Sequence, residues 1–327
     1  MKLFYENDAD FADLEGMTIA VIGYGSQGKA QAQCMKDSGL NVIVGLRKGS
    51  TSWKEAEEYG FEVLETAAAA KKADIIHVLI PDELQAQVYE KDILPNLTKG
   101  KTLSFSHGFN ICYKFITPPK NVDVTMVAPK SPGTEERKQY LAGFGVPGLI
   151  AIKQNASGKA RERALAMAKG IGLTRAGVLE CTFEQETYED LFGEQAVLCG
   201  GLSELITTGF EVLVERGYPP EMAYFECLHE MKLIVDLVYE GGMPHMWNVV
   251  SNTAEYGGRT RGSAIIGPDV KKRMHALLDD VESGKFANEW INEHRSGSVN
   301  FKKLRQEQDN HQIEKTGKEI RALFQKK

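Results

Sequence analysis

The sequence predicts an α/β amino-terminal half followed by an all-helical carboxyl-terminal half. Three observations carry this reading. A short apolar, β-rich run at residues 17–22 passes through a glycine cluster directly into helix-forming residues. Similar runs recur at the spacing of strand–helix–strand units up to about residue 182. From Phe183 onward the β-rich runs stop, and apolar residues recur at helical spacing. A chain of 327 residues with 42% hydrophobic content is long enough for two cores. The expected domains are residues 1–181 and 182–327.

Composition narrows the function classes. Lys and Arg number 39 against 45 Asp and Glu, a formal charge of −6, which argues against a general nucleic-acid or anionic-membrane surface. The first ten residues are acidic and lack a signal core, and no run is read as approaching the roughly 18 apolar residues of a membrane span. A cytoplasmic location is the expectation. The five cysteines at 34, 112, 181, 199 and 227 are scattered singly, which indicates neither a disulfide framework nor a zinc site.

The first strand is followed by Gly23-Tyr24-Gly25-Ser26-Gln27-Gly28 and then by a helical stretch from Lys29. In this spacing Gly23 makes the tight turn, Gly25 admits a pyrophosphate against bare backbone, and Gly28 lets helix and strand approach closely. The phosphates then meet the helix N-terminus. A second strand at 41–46 completes the βαβ unit of a Rossmann-like, dinucleotide-binding domain. An NAD site usually places an acid at the end of that second strand. Here stand Arg47, Lys48, Ser50 and Ser52, which suit a 2′-phosphate, so NADPH is expected over NADH. Arg47 stacked on an adenine, with either cofactor, is the competing reading.

Ligands of open parallel sheets gather beyond the carboxyl ends of the strands. That rule brings Asp82, Glu83, Leu84 and Gln85, after the strand at 73–80, to the cofactor's edge. His107 follows the strand at 101–106 and Lys130 the strand at 122–127, so both fall on the same rim. A structural histidine and a solvated lysine are the plain alternatives. The prolines at 129 and 132 fix the backbone around Lys130 and favour an aimed side chain.

In the helical half, Asp190 and Glu194 stand four apart, as do Glu226 and Glu230 on the next helix. Like charges at this spacing repel by a few tenths of a kcal/mol unless a cation intervenes. Both pairs lie beside apolar residues, and no Cys/His cluster accompanies them. If the two helices face each other, the hard oxygen donors select two magnesium or manganese ions over zinc. A solvated acidic face is the alternative. A helix is expected at 243–255, with Ser251 inside it as a back-bonded hydroxyl or a cap, then a glycine-rich turn at 256–262 and amphipathic helices to the end.

Taken in order, Gly23 to Gly28, Ser106-His107-Gly108-Phe109, Ala128 to Gly133, Asp190-Leu191-Phe192-Gly193-Glu194-Gln195, Glu226-Cys227-Leu228-His229-Glu230 and Val250 to Glu255 resemble ketol-acid reductoisomerase over essentially the whole chain. The length is similar to the family's short class. The resemblance implies a knotted or intertwined helical domain and at least a homodimer, open to further assembly, with the active site shared between subunits. It implies two Mg2+ held by Asp190 and Glu194 of one subunit and Glu226 and Glu230 of the other, with Ser251 on the substrate. It gives His107, Lys130 and Glu230 catalytic roles, and makes Gly133, Arg47, Ser50 and Ser52 cofactor contacts. The implied reaction takes a small 2-hydroxy-2-acyl acid through an alkyl shift and an NADPH reduction. Two cations stabilise neighbouring oxygens during the shift, and Glu230 or a water accepts the hydroxyl proton. A metal-free NADP-dependent 3-hydroxyacid dehydrogenase is the rival enzyme, and a nonenzymatic NADP-binding protein the rival of another class.

Overall fold

The computed structural model describes residues 2–324. Contacts divide the chain into two compact units, Met1–Glu189 and Asp190–Lys327.

The first unit is built on nine strands: β1 (Leu3–Phe4), β2 (Ile19–Ile22), β3 (Val42–Leu46), β4 (Glu62–Glu65), β5 (Ile75–Val78), β6 (Thr102–Phe105), β7 (Asp123–Pro129), β8 (Gly148–Gln154) and β9 (Val178–Cys181). They form one sheet in the order β1-β9-β8-β7-β6-β5-β2-β3-β4. The expected open parallel sheet holds from β4 through β7, but β8 runs antiparallel to β7 and β1 antiparallel to β9, so the sheet is mixed. A short connection joins β7 to β8 around the helix Gly133–Leu141 and brings β8 back against its neighbour. Strand alternation fills two cores: Ile19 and Val21 pack on one face with Met35, Leu165 and Met167, while Ala20 and Ile22 pack on the other with Ile76, Leu103 and Phe105. The chain leaves β2 for β3 and β4 on one side, then crosses to β5 on the other. The strand order therefore reverses between β2 and β5, where nucleotides bind in such sheets.

One buried group in this unit sets a pH dependence. Glu136 is 1% exposed on the helix Gly133–Leu141, and neither carboxylate oxygen has a hydrogen-bond partner. Burial pushes its carboxyl from the ordinary 4.5 up to about 8, opposed only in part by Arg137. Between those values the folded chain holds a proton that the unfolded chain has released. Stability is therefore greatest at the acid end of the window and falls as pH rises through it. Glu136→Gln is expected to remove this slope, with a melting temperature roughly 5 °C above the parent's at pH 8 and equal to it near pH 4. Parallel curves for the two proteins would refute the assignment.

The second unit is helical: Gly200–Glu215, Pro220–Tyr224, Met231–Val249, Asn252–Ile265, Pro268–Glu282, Lys285–Arg295, Val299–Asn310 and Gln312–Phe324. The preceding helix, Phe183–Gly193, joins Gly200–Glu215 through a π turn at Glu194–Leu198, and a second π turn occupies Phe225–His229. The helix Met231–Val249 is interrupted at Gly242, whose φ of 76° and ψ of 178° are not helical. Two expectations are corrected. The helix read at 243–255 breaks at Val250, and Ser251 caps a new one. The glycine-rich residues 256–262 lie inside Asn252–Ile265, because tyrosine, arginine and threonine supply side chains enough to carry three scattered glycines.

This unit buries little. One core cluster gathers Phe210, Ala223, Tyr224, Ile313 and Ile320, and Val281, Ala287 and Ile291 are also buried, while Leu198, Leu233, Val235, Tyr239, Met243, Tyr256 and Ile265 stay exposed. The helical run Phe183–Glu215 is long and apolar enough to cross a membrane by length and composition, which corrects the reading that no run approaches a span. Only 6% of its apolar window is buried.

Candidate active site

The nucleotide side is shaped by glycines at the strand switch. Gly23 ends β2 at φ 105°, and a Cβ there would stand 2.7 Å from the Leu79 carbonyl oxygen beyond β5. A Cβ on Gly28 would meet the Gly23 oxygen at 2.3 Å, so the helix Ser26–Asp37 starts pressed against the turn. Gly25 is its N-cap and no side chain caps it, which leaves the first-turn N–H groups to an anion. Gly133 opens its own helix against this place, and a Cβ on it would lie 2.3 Å from the Ser26 oxygen. Gln27 donates through Nε2 to the Ser131 oxygen at 2.8 Å. Tyr24 is buried edge-on to Phe61, and its hydroxyl accepts from Gln33.

Arg47 follows β3 and is exposed, while Ser50 and Ser52 are half-buried, with Ser52 starting the helix Ser52–Glu58. The turn is compact: the Ser52 N–H donates to Ser50 Oγ at 3.3 Å. Asp82, Glu83, Leu84 and Gln85 form the first turn of the helix Asp82–Val88 beyond β5. Gln85 is buried, donates to the Ile80 oxygen and to Asp82, and accepts from Asn110, so its amide locks this turn to the one after β6.

The chemical rim lies beyond β6 and β7. His107 Nδ1 sits 3.2 Å from Glu186 Oε2, and the Gly108 N–H donates to the same oxygen at 3.1 Å. Glu186 is 2% exposed, and as an acceptor it favours the proton on His107 Nδ1, which leaves Nε2 the unprotonated ring nitrogen. Gly108 is required for this approach, because its Cβ would stand 2.3 Å from Thr187 Oγ1 on the same helix as Glu186. The Lys130 N–H donates to the Pro147 oxygen at 2.9 Å, and its ammonium pairs with Glu189 Oε1 at 2.8 Å. Asp190 follows Glu186 by one turn along the helix Phe183–Gly193. Glu186 and Glu189 were missed by the sequence reading. The signal was present: the i, i+4 acid spacing that singles out Asp190 and Glu194 extends back one more turn to Glu186.

The remaining residues belong to the helical unit. Glu194 opens the first π turn, Glu226 lies inside the second, and Glu230 follows it, exposed. Each acid pair thus adjoins a π turn, a widening common at functional sites. Ser251 Oγ accepts from the Ala254 N–H at 3.2 Å, the capping role weighed from sequence, and its hydroxyl proton remains available to donate. The candidate donors are carboxylates and an imidazole, without a thiol among them, so the residues fit a hard divalent cation.

A glycine turn at the switch point of a doubly wound sheet, with an aimed histidine and lysine on its rim, defines a nicotinamide-dependent oxidoreductase. Comparison with known proteins is specific. Residues 13–177 match the acetohydroxy acid isomeroreductase NADPH-binding domain, and residues 183–326 match the ketol-acid reductoisomerase C-terminal domain. The chain is 60% identical to the ketol-acid reductoisomerase (NAD(+)) of the uncultured archaeon GZfos26G2, over 100% of both chains. It is 57% identical to the ketol-acid reductoisomerase (NADP(+)) of Methanocaldococcus jannaschii, over 99% of this chain and 98% of that one. The solved NADH-preferring ketol-acid reductoisomerase from an uncultured archaeon superposes with a TM-score of 0.97 at 60% identity over the full length of both. The chain belongs to the ketol-acid reductoisomerase family, and it is a reductoisomerase enzyme with a nicotinamide-binding domain.

Proposed function

We propose that the protein converts 2-acetolactate, and likewise 2-aceto-2-hydroxybutyrate, to the corresponding 2,3-dihydroxy acid with NADPH and two Mg2+, in the cytoplasm, for branched-chain amino-acid synthesis. The observation that carries the substrate and metal reading is the acid ladder Glu186, Asp190, Glu194 along one helical run, with Glu186 paired to His107. When bound, the cations stabilise charge on two adjacent substrate oxygens during the alkyl shift, and the nicotinamide supplies the hydride that reduces the resulting 3-hydroxy-2-keto acid. Asp190 and Glu194 would hold the metals from one subunit, with Glu226 and Glu230 from a second. The apolar surface left open on the helical unit supports such a pairing.

The chain's own groups then have definite work. Glu186 holds His107 so that Nε2 faces the site, where it orients a substrate oxygen or passes a proton. Lys130, steadied by Glu189, places a positive charge where negative charge develops. Glu230 accepts the hydroxyl proton, and the Ser251 hydroxyl donates to the substrate. The uncapped helix N-terminus at Ser26 receives the pyrophosphate.

The cofactor preference rests on Arg47, Lys48, Ser50 and Ser52. Named relatives of similar identity include both an NAD(+) and an NADP(+) enzyme, so the loop decides. With no acid between Arg47 and Ser52, it favours a 2′-phosphate over a bare ribose. Oxidation of NADPH on adding 2-acetolactate with magnesium is expected, with kcat/KM at least about tenfold above that for NADH, and turnover stopping under EDTA. Turnover that survives EDTA would overturn the metal reading. A preference for NADH would overturn the cofactor reading alone.

A further inference from the structure

A polar chain crosses the interior of the first unit and ends on the two rim loops. Its root is His77, in the middle of β5 and 0% exposed. His77 Nδ1 lies 3.1 Å from Ser104 Oγ, and Nε2 lies 2.8 Å from Gln31 Oε1. Gln31, also 0% exposed, donates through Nε2 to Gln27 Oε1 at 3.0 Å and to Ser106 Oγ at 2.9 Å. Gln27 in turn donates to the Ser131 oxygen, and the Ser106 hydroxyl donates to the Val127 oxygen at 2.8 Å.

The Ser106 hydroxyl also lies 3.3 Å from Gln31 Oε1 and 3.5 Å from His77 Nε2; with its one proton on the shorter bond to Val127, the donors and acceptors run in one direction. An amide oxygen can only accept, so His77 must carry its proton on Nε2, and Nδ1 is then free to accept from the Ser104 hydroxyl. Burial pushes the His77 imidazolium down to about 3, which keeps the ring neutral across the working pH range and leaves the Gln31 oxygen to select the tautomer. Every member is satisfied in this direction, the condition under which a buried polar network rigidifies its surroundings. Its outer ends are informative: Ser106 precedes His107, Ser131 follows Lys130, and Gln27 sits in the glycine turn.

We infer that Gln31, oriented by His77, is a positioning residue for the reductoisomerase reaction: its single amide group holds the His107 and Lys130 loops in register with the cofactor turn. The inference rests on the function proposed above, and adds residues that touch neither substrate nor cofactor. A network that served stability alone would need no branch point whose two arms end beside the two rim side chains.

The test compares Gln31→Glu, Gln31→Met, His77→Gln and His77→Leu in the full-length protein. The Gln31→Glu change keeps the size and the acceptor toward His77, but the new side chain cannot donate to Gln27 or Ser106 when ionised. The His77→Gln change retains an N–H near the position of the imidazole Nε2, whereas His77→Leu does not. Expected are kcat losses of about tenfold or more for both Gln31 variants and for His77→Leu, with His77→Gln recovering most of the activity, at equal folded fraction by circular dichroism. Loss of melting temperature with kcat kept within about twofold in both Gln31 variants would reduce the network to a structural one. Two further readouts do not depend on turnover. NADPH binding by nicotinamide fluorescence is expected to weaken in the Gln31 variants, and would still do so if 2-acetolactate were the wrong substrate. In the parent protein, where no variant need fold, 15N chemical shifts should show His77 as the Nε2–H tautomer at pH 7; an Nδ1–H tautomer would reverse the chain and overturn the proposal.

Discussion

Asp190→Asn is expected to lower turnover of 2-acetolactate on the order of a thousandfold while leaving NADPH binding intact. Asparagine keeps the size of the side chain and one oxygen, but removes the charge that a hard cation requires of its ligand. The residue stands one turn past Glu186, which is already committed to His107 and the Gly108 N–H, so that neighbour cannot replace it in kind. The residues proposed to hold the nucleotide lie after β2, β3, β5 and β7, in the unit Met1–Glu189, which the substitution does not alter. Measuring NADPH oxidation with 2-acetolactate, and separately with the 3-hydroxy-2-keto acid, divides the shift from the reduction. Full isomerase activity in the variant would remove Asp190 from the metal site and leave the acid ladder a solvated face.

Subunits carrying different lesions are expected to rescue each other. When Asp190→Asn and Glu226→Gln chains are each inactive, a purified heterodimer carrying one of each should regain about half the parent activity. One of its two sites collects both substitutions, and the other collects neither. If all four carboxylates came from one chain, every site would hold a substitution and mixing would restore nothing. Unequal affinity tags and co-expression give the heterodimer directly. The exposed apolar side chains of the helical unit, from Leu198 through Val235 to Ile265, are the physical reason to expect that pairing.

The first half of the molecule was legible because its signals are local. The run from Ile19 into Gly23-Tyr24-Gly25-Ser26-Gln27-Gly28 states strand, turn and helix within ten residues, and the structure follows that order, with the helix opening at Ser26 and not at Lys29 as read. What was not legible depended on contacts remote in sequence. The reversal of β8 depends on its return beside β7, which no periodicity encodes. Glu186 reaches His107 across 79 positions, and Gln31 reaches Ser106 across 75. In the helical half, the break at Val250 and the continuation through 256–262 went against local expectation. Ser251 competes for the backbone as a cap, and glycine weakens a helix by only about 1 kcal/mol, too little to end one alone. Spacing singled out Glu194 and Glu230; one π turn starts at Glu194 and another lies between Glu226 and Glu230, so the second interval is not that of an ideal α-helix.

Those two π turns carry a consequence for how the chain tolerates change in length. A π turn holds one residue more than the α turn it replaces. Removing a single residue from Glu194–Leu198 or Phe225–His229 would let the helix relax to its ordinary form; five residues of a π turn sweep nearly the angle of four α residues, so the helix downstream would keep its facing and the side chains within the turn would be re-aimed. No side chain with chemistry need be lost, yet Glu194 or Glu226, which lie within these turns, would be re-aimed. At these positions the count of residues matters as much as their identity, and relatives that keep the acids should keep the interval between them.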